Sequence, residues 1–218
     1  MTGKPYVPAA GSDWLLPFYD IFTKLLGVEA FHGKLIDQAA ISAGHRVLEI
    51  GCGTGNLAIL TKRLNPAAEI VGIDPDPKAL ARARRKAERS GDAIQFDLGF
   101  AEELPYPDSS FDRVLSAFML HHLPPDAKPL AVQEARRVLK PGGSLHLADF
   151  DEGHPHWGGF LARLLHSRHG SSSQQLVLGL MRDAGFADSQ EVGHEAIVLG
   201  RIVCYKAVRP PSPLSTAA

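Results

Sequence analysis

The chain has 218 residues, 44% hydrophobic and 22% charged, and its 23 basic against 24 acidic side chains leave a formal net charge of -1. That composition excludes a fibrous or disordered protein, and the charge balance supplies no overall field for nucleic acid or an anionic membrane. The length suits one domain, and two cysteines without paired or zinc-ligand spacing suit a reducing interior, so a cytoplasmic location is expected.

In chain order, no basic stretch followed by an apolar run marks a secretory signal. The apolar stretch from Trp14 to Phe31 is broken by Pro17, Asp20, Lys24 and Glu29, so it does not span a bilayer. Its helical spacing predicts an amphipathic helix from Trp14, stopped by Gly27, and a second follows over Glu29–Ala40. From His45 onward the pattern alternates: strand 45–50, helix 56–64, strand 69–73, helix 77–89, strands 93–97 and 111–118, helix 126–139 and strand 144–149. Strands such as Arg46-Val-Leu-Glu-Ile50 are short apolar runs, as expected of a parallel sheet covered on both faces. Helices near 158–169 and 173–184 and a strand pair at 188–193 and 196–207 follow. The expected fold class is α/β, doubly wound. A single domain over 1–208 contains a helical cap at 13–40, a core at 45–150, a helical insertion at 150–185 and terminal strands at 188–207, and residues 209–218 form a disordered tail.

Chemistry concentrates in Val47-Leu-Glu-Ile-Gly-Cys-Gly-Thr-Gly-Asn-Leu57, where a strand runs into a glycine loop and then a helix. Gly51, Gly53 and Gly55 let the backbone approach a ligand without a Cβ in the way, and the helix start offers unpaired N–H groups. Asp74 ends the next strand, where a carboxylate can accept both ribose hydroxyls of a nucleoside. The basic face of the helix at 77–89, with Arg82, Arg85, Lys86 and Arg89, is expected to be solvated, and no nucleic-acid partner is expected.

The block Val47–Leu57, Gly72-Ile-Asp-Pro75, Ala101–Asp112, Ser116-Ala-Phe-Met-Leu-His-His122 and Leu139-Lys-Pro-Gly-Gly143 resembles the class I S-adenosylmethionine-dependent methyltransferases. Within them it is most similar to the branch of the ubiquinone and menaquinone biosynthesis enzymes. The resemblance implies a Rossmann-like, seven-stranded, mostly parallel sheet with a terminal antiparallel pair, S-adenosylmethionine as cofactor, and methyl transfer to a small acceptor. It also implies that Glu49 organises the glycine loop and meets the methionine amino group. The loop, with Gly51, Cys52, Gly53 and Gly55, would lie along the methionine and ribose, and Asp74 would hold the ribose. Pro75 would touch adenine, Phe100 and Ala101 would face its edge, and the backbone at Ser116 would hold the methionine end. Many relatives carry Asp at the position of Phe100, so adenine recognition here would rest on stacking and on the Ala101 N–H. The Cys52 side chain itself is expected to pack rather than react.

Methyl transfer needs alignment and a dry pocket, and no metal. If a proton must leave the acceptor, the candidate bases are His121, His122, His154 and His156. The cap and insertion carry Trp14, Phe18, Tyr19, Phe22, Trp157 and Phe160, and are expected to select an apolar acceptor without integral membrane contact. Two alternatives stand beside this reading. A non-catalytic module could keep the cofactor pocket, and a nicotinamide-dependent dehydrogenase also joins a glycine turn to an acid, although it uses G-x-G-x-x-G and not G-x-G-x-G.

Overall fold

The computed structural model describes residues 28–151, 173–197 and 200–212. The first helix expected from Trp14, the helix near 158–169 and most of the insertion lie outside the described residues.

Helix α1 (Val28–Ala39) buries Phe31, Leu35, Ile36 and Ala39 at helical spacing. After a turn, β1 (Arg46–Ile50) enters the centre of the sheet and leads through the glycine loop into α2 (Asn56–Leu64). Strand β2 (Glu69–Asp74) is followed by α3 (Pro77–Ser90), which has strong punctuation at both ends. Asp76 accepts the Lys78 N–H at 2.8 Å, Pro77 opens the first turn, and Gly91 closes the helix with φ of 73°. Strands β3 (Ile94–Leu98) and β4 (Phe111–Ala117), a 3-10 turn at Leu120–His122 and α4 (Ala127–Val138) come next. They lead to β5 (Leu139–Phe150), α5 (Ser173–Asp183), β6 (Ala187–Ile197) and β7 (Gly200–Val208).

The seven strands lie in the order β3-β2-β1-β4-β5-β7-β6. The pairs from β3 through β5 are parallel, and β7 runs antiparallel between β5 and β6. This is the doubly wound, Rossmann-like arrangement expected from the alternation of strands and helices. Side chains alternate across it: Val47, Ile70, Phe96 and Leu115 join a core with α1, α2 and α3. Leu48, Ile50, Val71, Ile73 and Val114 join another with α4 and α5.

Several boundaries differ from expectation, among them the ends of β6 and β7. Strand β5 begins at Leu139, not 144, because Leu139 already pairs with Phe111 before a bulge between Phe111 and Arg113 re-registers the strands. Arg209, expected to open a disordered tail, is docked on the fold instead. Its Nη1 donates to the carbonyls of Arg136 at 3.1 Å, Arg137 at 2.9 Å and Leu139, occupying acceptors that the end of α4 leaves over. Its backbone also exchanges bonds with Gly142 and Gly143 at 2.9 and 2.8 Å. Residues 213–218 lie outside the described residues.

Candidate active site

The strand order reverses between β1 and β4, each joined to its neighbour in sequence on the opposite side, which opens a crevice at the carboxyl ends of the strands. The glycine loop lines it. Gly51, Gly53 and Gly55 have φ of 75°, 49° and 78°, a region that side chains other than glycine's rarely adopt. A Cβ at Gly51 would also overlap Cβ and Cγ of Met119, on the segment after β4.

Backbone and carboxylate bonds hold the loop. The N–H groups of Gly51 and Cys52 donate to the Ile73 carbonyl at 2.9 and 3.0 Å, and Gly55 donates to Cys52 at 2.8 Å. Asp74, at the end of β2, accepts the Gly53 N–H on Oδ2 at 2.7 Å and the Asp76 N–H on Oδ1 at 2.9 Å. Asp74 therefore ties the glycine loop to the β2–α3 turn. Each of its oxygens keeps a second lone pair for a ligand hydroxyl.

Glu49 is buried beside it, takes the Ala58 N–H at the start of α2, and leaves Oε2 without a hydrogen-bond partner. Burial is the main cause that pushes its carboxyl well above the ordinary range, with the nearby Asp74 adding to it. Burial likewise raises Asp74, against the lowering effect of its two N–H donors. The Cys52 thiol is buried against the loop and driven upward by desolvation and then by Glu49 and Asp74, so it packs and is no thiolate nucleophile. Ser116 spends its hydroxyl on the Ile50 carbonyl at 3.0 Å.

Against the loop lies a pocket of about 400 Å³, lined by Ile50, Ile73, Leu123, Pro124 and Ala127 together with Gly51, Pro75, Phe100, Ala101, Glu102 and His122. Four of the ten residues expected at the cofactor thus share one cavity. Cys52, Gly53, Gly55 and Ser116 stand behind it as support. The residues suit S-adenosylmethionine: Glu49 Oε2 is a buried acceptor with no partner, and Gly51 itself lines the cavity. The cavity falls within the usual size range for small-molecule sites, about 300–1,000 Å³.

Among the expected bases, His121 and His122 follow β4 with ring centroids 3.9 Å apart. His122 lines the pocket, and His121 Nδ1 lies 2.5 Å from Asp149 Oδ1. His154 and His156 lie outside the described residues, as do Trp14, Phe18, Tyr19, Phe22, Trp157 and Phe160. Sequence reasoning missed Asp149, although an acid closing the apolar run Leu147-Ala-Asp149 repeats the signal that singled out Asp74. It also missed an aromatic ledge on Phe118, whose φ is 58° and whose ring sits 5.8 Å from Phe31 and 5.0 Å from Phe150. His32 packs at its edge, and burial lowers its pKa to about 4, so it is neutral at physiological pH. Among the described residues no three His, Cys, Asp or Glu side chains cluster at metal-binding distance.

Residues 47–143 match the sequence family described as Methyltransferase domain. The chain is 40% identical over 139 residues to a demethylmenaquinone methyltransferase of Thermus thermophilus, a match covering 62% of this chain and 62% of the relative. It is 35% identical over 153 residues to the 27-O-demethylrifamycin SV methyltransferase of Amycolatopsis mediterranei, covering 61% of this chain and 55% of the relative. The chain therefore spans less than two thirds of the curated relatives it matches. A phosphoethanolamine N-methyltransferase of Haemonchus contortus, solved with S-adenosyl-L-methionine, shares the fold with a TM-score of 0.67 and 16% identity, over 83% of this chain and 52% of that one. The glycine crevice and its buried acids thus lie within residues that are similar to a methyltransferase domain, on a fold shared with a solved S-adenosylmethionine-dependent enzyme.

Proposed function

We propose that the chain transfers a methyl group from S-adenosylmethionine to a small, apolar acceptor. The observation that carries this is the pairing of a glycine crevice and an unpartnered buried Glu49 oxygen with an aromatic ledge on the same edge of the sheet. The cofactor supplies an electrophilic methyl on a sulfonium, and the protein supplies alignment and exclusion of water. In this reading Glu49 takes the amino group of the methionine end, while Gly51, Gly53 and Gly55 let the backbone lie along it. Asp74 accepts ribose hydroxyls on its remaining lone pairs, and the backbone near Ser116 borders the methionine end. Pro75 and Phe100 sandwich the base, with the Ala101 N–H at its edge.

The relatives are named for demethylmenaquinone and 27-O-demethylrifamycin SV, and the partly buried rings of Phe118 and Phe150, 5.0 Å apart, suit an acceptor with an aromatic body. The near-zero net charge supports a small-molecule partner over a nucleic acid. No described helix is long and apolar enough to cross a membrane, and both cysteines are unpaired and buried, which supports a cytoplasmic site of action. Incubation with methyl-labelled cofactor and a panel of quinols, phenols and lipids tests the reading. Repeated turnover with label in the organic phase supports it. Cofactor binding with no transfer to any of the panel favours a non-catalytic module.

A further inference from the structure

We propose that the chain exchanges a proton for its cofactor: Glu49 is a neutral carboxylic acid in the ligand-free protein and becomes a carboxylate when it accepts the ammonium group of the methionine end. Uptake then releases a proton and strengthens as pH rises. The proposal rests on the transferase reading above and adds to it the charge state and pH response of the same site.

Two buried acids sit in neighbouring strands, Glu49 near the end of β1 at 4% exposed and Asp74 closing β2 at 7%. They are provided for unequally. Asp74 receives an N–H on each oxygen, from Gly53 at 2.7 Å and Asp76 at 2.9 Å, and these donors work against the burial that raises it. Glu49 receives one N–H, from Ala58, and its Oε2 has no partner. Neighbouring carboxyl groups out of water resist ionising together, and the proton stays on the one with fewer donors. Nothing else around Glu49 reverses that order. Its partners across the sheet, Gly72 in β2 and Leu115 in β4, bring no charge. The Cys52 thiol on the loop is driven up by its own burial and is neutral. From α3, Lys86 brings a positive charge, but its Nζ is engaged with Asn56 Oδ1 at 2.5 Å and Thr54 Oγ1 at 3.2 Å, and its pull on Glu49 is smaller than the push of burial and of Asp74.

An ammonium group is the donor that completes Oε2, and a positive charge at hydrogen-bond distance favours the ionised acid. On binding, Glu49 gives its proton to water and holds the ammonium, which keeps its own protons, and no covalent bond of the ligand changes. Because the bound state holds one proton fewer, affinity rises by up to about 10-fold per pH unit for as long as Glu49 in the free protein is neutral.

The test is titration calorimetry of the ligand-free chain with S-adenosylhomocysteine at about pH 6, where its amino group is already protonated, in buffers of different ionisation enthalpy, which counts the protons released. Methylthioadenosine, which keeps the adenosine and the thioether but lacks the amino-acid end, is the comparison ligand. Wild type should release about one proton with S-adenosylhomocysteine and none with methylthioadenosine, and Glu49→Gln should release none with either. Between about pH 5.5 and about pH 6.5 the affinity of wild type for S-adenosylhomocysteine should rise by about 3- to 10-fold, and that of Glu49→Gln should stay flat. Difference infrared spectra read the wild type directly: a neutral carboxyl band should vanish when S-adenosylhomocysteine is added and should persist with methylthioadenosine. Binding of S-adenosylhomocysteine without proton release, equal release with methylthioadenosine or in Glu49→Gln, or a carboxyl band that does not respond would each overturn the proposal and leave the cofactor assignment standing. A chain that binds neither S-adenosylmethionine nor S-adenosylhomocysteine would overturn the transferase reading along with it.

Discussion

Replacing Asp74 by Ala should damage both the stability of the ligand-free protein and its hold on the cofactor, and the two losses can be measured apart. The carboxylate is 7% exposed and accepts the Gly53 and Asp76 N–H groups at 2.7 and 2.9 Å. Alanine leaves both donors without a partner, and a buried unsatisfied group costs about 1–3 kcal/mol. Some water reaches the gap, so the expected loss is about 2–4 kcal/mol, or about 5–15 °C in Tm for a chain of this size. Loss of the ribose acceptor should weaken cofactor binding by about 10- to 100-fold in addition. Asp74→Asn keeps one acceptor oxygen but turns an NH2 toward one of the two N–H donors, so it should lie between wild type and alanine in stability. Urea unfolding without ligand and calorimetry on the still-folded variants are the assays. An alanine variant as stable as wild type would refute the loop-tying role, and an unchanged dissociation constant would put the ribose elsewhere.

Glu49→Gln tests the buried acid. Because burial raises the Glu49 pKa in the folded state, its contribution to stability is full below the unfolded value and is lost as pH rises through the folded one. The ligand-free glutamine variant should therefore gain stability relative to wild type as pH rises above the ordinary carboxylate range, while binding cofactor about 10-fold or more weakly; a stability difference that is flat with pH contradicts the assignment. Arg209→Ala should lower stability by about 1–2 kcal/mol by releasing the carbonyls at the end of α4, read as a fall in the urea midpoint, and no change would mean that Arg209 is not docked in solution. Phe100→Ala should weaken cofactor binding by about 2- to 12-fold if the ring stacks on the base, and equal affinity in calorimetry would move the adenine off Phe100.

Much of the core was legible because its signals are local. The run Arg46–Ile50 followed by three glycines announces a buried parallel strand and a close backbone approach, and Asp76-Pro77 with Gly91 brackets α3 by capping chemistry alone. What the sequence hid depends on contacts between distant segments. Arg209 sits in a Pro- and Ser-rich stretch, and only the carbonyls at the end of α4, about 70 residues earlier, explain its order. The length of β6 was underestimated because an edge strand with bulges carries polar residues such as Glu191, His194 and Glu195 where an apolar run would be expected. At the site, Asp74 could be singled out from its place at a strand end, but its hold on Gly53 requires β1 and β2 to be adjacent. Asp149 and His121, 28 positions apart, are likewise paired only by the parallel neighbours β4 and β5.

Calorimetric titration of the ligand-free chain with S-adenosylmethionine, followed by S-adenosylhomocysteine and, separately, by NAD, tests the central claim most directly. The account predicts that the two adenosyl ligands bind with one-to-one stoichiometry and compete for one site, that both are weakened by Asp74→Ala, and that NAD produces no saturable heat. Saturable binding of NAD with none of either adenosyl ligand would contradict it.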